Sequence, residues 1–86
     1  MGDRQTTHIF EATNRNDASF CSVMQYIPLN NGSGILQAKL AWRTGVQVER
    51  GDVFILTSAS GQKSYRLIKV DPPNGDTFTG IAYCLQ

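Results

Sequence analysis

The sequence predicts an all-β domain, a small barrel or sandwich of about six antiparallel strands. Three observations carry that expectation. Short segments alternate apolar and polar side chains. Clusters of Gly, Pro, Asn, Asp and Ser separate them at intervals of about 8–12 residues. No segment has the apolar spacing and capping residues of a convincing helix.

Taken in order, "MGDRQTT" is polar and reads as loose chain. "HIFEATN" (8–14) can form a first short strand, and "RND" (15–17) is a turn cluster. "ASFCSVMQYIPL" (18–29) is a longer strand. Phe20, Ser22, Met24 and Tyr26 fall on one face; Cys21, Val23, Gln25 and Ile27 fall on the other. Both faces carry apolar residues, so burial on most of both sides is expected, ending at Pro28. "NNGSG" (30–34) is a loop with residues tolerant of positive φ.

"ILQAKLAWRT" (35–44) alternates: Leu36, Ala38, Leu40 and Trp42 point one way, Gln37, Lys39, Ala41 and Arg43 the other. A helix competes here, because Ala, Leu, Lys, Gln and Arg are helix formers. Flanking glycines, and the lack of an N-cap followed by Glu or Gln, favour a strand. Val46-Gln47-Val48 is a short extended piece between glycines. "VFILTS" (53–58) is rich in β-branched and aromatic residues. "ASGQK" is a turn. "SYRLIKV" (64–70) puts Tyr65 and Leu67 on one face and Arg66, Ile68 and Val70 on the other. "DPPNGD" (71–76) is a strong loop signal, and "TFTGIAYCL" (77–85) is the last strand. The inward candidates for the core are Leu36, Leu40, Trp42, Phe54, Tyr65, Leu67 and Phe78.

Length and composition fit one domain over residues 1–86. A chain this short buries only roughly 60–65% of its unfolded surface, so partner surfaces would help it. Charged residues make up 17% of the chain, below the average of about 25%. Formal net charge is +1 with no run of like charge, which marks neither a nucleic-acid arm nor an anionic-membrane patch. Cys21 and Cys84 form no metal-ligand cluster. "MGDRQTTHIF" lacks the apolar stretch of a secretory signal, so both thiols are expected reduced and packed as small hydrophobes. No apolar run approaches the ~20 residues of a membrane helix.

Three short motifs have simpler explanations. "MGDRQT" fits the myristoylation pattern, but Asp3 places a charge beside Gly2. "NGS" (31–33) fits the N-glycosylation pattern, yet Asn-Gly is first a hairpin turn. Arg50-Gly51-Asp52 matches a cell-adhesion tripeptide, but it precedes an apolar run, where glycine and a capping Asp begin a strand.

Chemistry is sparse. His8 is the single histidine and reads as a surface or strand residue. Asp17, Asp52, Asp71 and Asp76 flank breaker residues and read as caps, not as a catalytic pair. "NNGSG" lacks the lysine and helix of a phosphate loop. No enzyme and no cofactor are expected. A single-stranded nucleic-acid barrel would use Trp42, Phe54, Tyr65, Phe78 and Tyr83 with Arg43, Lys63, Arg66 and Lys69. The near-neutral charge argues against it.

The C-terminal stretch "VERGDVFIL…YRLIKVDPPNGDTFTGIAYCL" resembles the closing part of the small head–tail joining (neck or connector) proteins of tailed phages. Those chains run from a Gly-Asp pair into a strand and a short turn. A Tyr or Trp with alternating apolars ending in Val follows, then an Asp-containing loop and a last strand. Gly51-Asp52, Tyr65, Val70, Asp71 and Gly75 fit that order. The resemblance implies a non-enzymatic assembly protein of the virion, made in the host cytoplasm. It would form a homo-oligomeric ring and touch other virion proteins, without nucleic acid or membrane. Residues 1–14 would be an arm that orders on assembly. Ile9, Phe10, Pro28, Asn31 and Ile35 would be intersubunit contacts. A small binding module or host-directed inhibitor from a mobile element, and a nucleic-acid barrel, remain as alternatives.

Overall fold

The computed structural model describes residues 5–11, 17–28 and 36–85. The architecture is all-β. Six strands form one sheet: β1 (Thr7–Glu11), β2 (Phe20–Pro28), β3 (Leu36–Arg43), β4 (Val53–Ser58), β5 (Gly61–Val70) and β6 (Phe78–Leu85). Their order is β1-β4-β5-β6-β3-β2. The sheet curls into a half-barrel. Trp42 on β3 and Phe54 on β4 are separated by two strands in that order, yet their rings meet edge to face at 5.0 Å.

Four of the five strand pairings are antiparallel; the pairing of β1 with β4 is parallel. The sheet is therefore mixed. Parallel neighbours need a long crossover, and here β2 and β3 lie between β1 and β4 in the chain.

Residues 7–11, expected as part of an arm, are strand β1. Alternation explains why: His8 and Phe10 are buried, while Thr7, Ile9 and Glu11 are exposed. The rest of the expected arm lies outside the described residues. Within the 35–44 segment, Leu36–Arg43 forms a strand rather than a helix, with Ala38, Leu40 and Trp42 buried in the core. Val46–Val48 belongs to no strand.

Two register shifts alter the expected faces. The first lies between Val23 and Gln25 in β2. Cys21 and Val23 face the core before it, and Tyr26 faces the interior after it, where its hydroxyl meets that of Tyr65 at 3.1 Å. Burial on both sides holds only for Phe20 and Cys21. From Met24 onward this edge strand is largely exposed. The second shift lies between Leu67 and Lys69 in β5. A bulge inserts one residue and reverses the alternation, so Val70 packs on the same core as Leu67 instead of opposing it.

Phe54 sits at the centre of the core. Phe10 touches it edge-on at 5.1 Å, Trp42 at 5.0 Å and His8 at 5.5 Å. Edge-to-face pairs of this kind add about 0.5–1.5 kcal/mol beyond area burial. Phe78 stacks on Trp42 at 6.1 Å, nearly parallel. Gly80 makes room for that indole. A Cβ there would strike the Lys69 carbonyl oxygen and come within 2.9 Å of Trp42 Cη2.

Among the described residues three glycines adopt positive φ, each at a turn. Gly61 (φ 124°) closes the tight β4–β5 hairpin, where Ser58 pairs with Gly61. Gly75 (φ 68°) lies within the Asn74–Thr77 bridge before β6. Gly51 (φ 97°) precedes β4.

Candidate functional site

The stretch before β4 forms a buried clamp. Asp52 donates its backbone N–H to the Glu49 carbonyl at 3.1 Å, closing a turn, and Gly51 N–H bonds the Leu67 carbonyl at 2.9 Å. The Asp52 carboxylate accepts from three directions: Glu49 N–H at 3.1 Å, Thr6 N–H at 3.3 Å and His8 Nε2 at 2.9 Å. Burial by itself pushes this carboxyl up. The His8 hydrogen bond and the backbone N–H groups of Glu49 and Thr6 outweigh it, leaving the pKa below the ordinary value of 3.8. An ionised carboxylate only accepts, so His8 carries a proton on Nε2.

With Asp52 only 4% exposed, the Arg-Gly-Asp tripeptide offers no free carboxylate to a receptor. It is the bend at the mouth of a strand. His8, expected at the surface or on a strand, is a buried strand residue at 8% exposure. Its partner, 44 residues away, left no local signal in the sequence.

Among the described residues the edge strands of the sheet are β1 and β2, which the curl brings into contact with each other. Each carries an exposed apolar side chain, Ile9 at 62% and Met24 at 50%. Of the expected contact residues, Ile9 is exposed on β1 and Pro28 is exposed at the end of β2. Phe10 is a correction. It is 4% exposed and belongs to the core, because β1 turns its even residues inward. Asn31 and Ile35 lie outside the described residues. Met24, the unpaired residue at the β2 register shift, is a further exposed residue of that edge strand, on the face opposite Cys21 and Val23.

The expected core members Leu40, Trp42, Phe54, Tyr65 and Leu67 are buried. Leu36 and Phe78 are half-buried at opposite ends of the half-barrel. Trp42, Phe54 and Tyr65 are therefore not available as a base-stacking platform. Of the five aromatics weighed for that role, Tyr83 is the exposed one, beside Arg66 across the sheet.

The ends of β2, β4 and β6 and the starts of β3 and β5 leave an open mouth. Two adjoining clefts of about 400 and 240 Å³ share Tyr26, Gln62, Lys63 and Tyr65. Leu36, Cys84 and Leu85 wall the larger; Val23 and Leu56 wall the smaller. Burial pushes the Tyr65 hydroxyl up, helped by its bond to Tyr26, and it pushes the Cys84 thiol up against the opposing pull of Lys63. Both groups are neutral at physiological pH. Cys21, deep in the core, is pushed up to about 12 by burial, and both cysteines are free thiols. Among the described residues, no cluster of three His, Cys, Asp or Glu could hold a metal ion.

Comparison with protein-family models, with curated proteins and with solved structures gives no match for this chain.

Proposed function

We propose that this chain is a non-enzymatic assembly protein of a phage particle, a head–tail joining ring component that works through protein–protein contacts. One observation carries the reading: among the described residues the half-barrel leaves two unlike edge strands unpaired on one side, each bearing an exposed apolar side chain, Ile9 on β1 and Met24 on β2. Open edges invite another chain unless they are blunted. Two different edges on one molecule suit a heterologous contact, and such contacts close into rings when the rotation permits. The neck-protein resemblance adds the context. Its Gly-Asp, Tyr, Val, Asp and Gly positions fall on the β4 entry, the β5 core face, the end of β5 and the turn before β6.

Native mass spectrometry across a concentration series tests this. A closed assembly of one defined copy number is expected, alone or after adding virion partners. A monomer under every one of those conditions would remove the proposal. The same edges would serve a host-directed binding module, and stoichiometry separates the two readings. A ring protein associates with many copies of itself; an inhibitor sits in few copies on one foreign protein.

A further inference from the structure

We propose that the mouth of the half-barrel is a binding site for an apolar chain that ends in a carboxylate. This site goes beyond the assembly reading and does not depend on it.

Shape is the first argument. The two adjoining clefts, about 400 and 240 Å³, are together of the size that small-ligand sites occupy. Mouths of β-barrels are a recurrent place for such sites.

Polarity is the second. Leu36 and Leu85 line one cleft, Val23 and Leu56 the other, so an apolar tail has somewhere to go. Among the described residues Lys63 is the one charged side chain lining either cleft, and it lines both. No carboxylate of the described residues lines them. Arg43 and Lys69 stand beside Asp76 and Asp71, whereas Lys63 has no carboxylate partner among the described residues. The cleft therefore faces its occupant with a single positive charge over apolar walls.

The third argument is the supply of donors. In the Tyr26–Tyr65 pair one hydroxyl donates to the other across 3.1 Å. The accepting hydroxyl keeps its own proton, with no use for it inside the pair. Gln62 borders the same rim. One ammonium and one hydroxyl proton match a monoanion with two acceptor oxygens. A phosphate dianion would call for a cluster of cations, which the lining lacks. The second large cleft, about 280 Å³ among Trp42, Val46, Gln47, Val48 and Phe78, has no charged group and carries no such preference.

Two sources share this chemistry: a free fatty acid and the C-terminus of another polypeptide. Amide NMR titration of the whole chain distinguishes them. The probes are octanoate, its charge-inverted counterpart octyltrimethylammonium, N-acetyl-Ala-Leu with a free carboxylate, and the same dipeptide as its C-terminal amide. Saturable shifts at Gln62, Lys63, Ser64, Tyr65 and Leu85 are expected with at least one carboxylate probe, and none with the cation or the amide. Octanoate alone saturating points to a lipid-like acid; the dipeptide alone saturating points to a polypeptide terminus.

Lys63→Met should weaken the binding about tenfold or more, as loss of a charged hydrogen bond does. Tyr26→Phe, which keeps the ring, should weaken it several-fold. The acid–amide comparison on the unaltered chain stands even where a variant fails to fold. Failure of both carboxylates to saturate, equal binding of acid and amide, or a folded Lys63→Met that binds undiminished would each overturn the proposal.

Discussion

Asp52 shows how one side chain can set a local fold. Its carboxylate gathers the N–H groups of Thr6 and Glu49 and the His8 ring, so it ties the start of β1 to the turn before β4. The native pKa lies below the unfolded value of 3.8, so the unfolded chain binds the proton first as pH falls. The stabilisation is complete above that value and disappears as pH drops through the native one. Asp52→Asn should therefore be less stable than the parent at neutral pH, and the gap should narrow below about pH 4. Urea unfolding at several pH values measures it. A gap that stayed constant with pH would show that the charge of Asp52 contributes nothing.

Gly80 presents a second single-residue dependence. Its missing side chain is what lets the Trp42 indole lie against β6. Gly80→Ala should cost about 1–3 kcal/mol, the usual range for overpacking, seen as a lower urea midpoint at unchanged slope. Residues of this sort differ in how far the sequence exposes them. Asp52 as a turn former was legible, because Gly-Asp before an apolar run has a local cause. Its bond to His8 was not, because a pairing across 44 residues leaves no mark near either partner.

At the scale of elements, alternation, β-branched content and turn residues together located all six strands, and alternation gave the inward face of β3. It failed wherever a bulge shifts the phase. The pattern of β2 reads as one strand with two apolar faces, yet the shift after Val23 makes it a buried half followed by an exposed edge. The same happens to Val70 beyond the β5 bulge. The mouth was illegible for a related reason, since five strand ends contribute to it and none carries a motif. Strand β1 offers a sharp test of alternation. Phe10→Ala should cost about 3–5 kcal/mol through the cavity it leaves beside Phe54, whereas Ile9→Ala, next to it but exposed, should stay within about 0.5 kcal/mol. Equal losses in thermal or denaturant melts would contradict the inward facing of Phe10.

For the whole molecule, curvature matters most. A sheet that curls without closing gains a shared core but keeps both edges. Met24→Lys places a charge on the β2 edge, one of the devices by which natural edges are protected from pairing. Under the proposed ring assembly, the substitution should leave the melting behaviour of the isolated subunit nearly unchanged and lower the self-association measured by sedimentation. Unaltered association would move the contact to β1 or to the convex face. Low overall charge was legible from composition alone; which strands lie at the edges was not, because that follows from the strand order, which no local pattern encodes.

The parallel seam between β1 and β4 has a bearing on biosynthesis. Thr7 aligns with Val53, so among the described residues β1 has no hydrogen-bonded sheet neighbour until β2, β3 and the start of β4 have been synthesised after it. The β4–β5 hairpin and the β6 that joins it assemble from near neighbours, at low loop-closing cost. β1 is thus made before its partner and docked late, and a ribosome-bound intermediate truncated before Val53 would display Phe10 to any chaperone within reach.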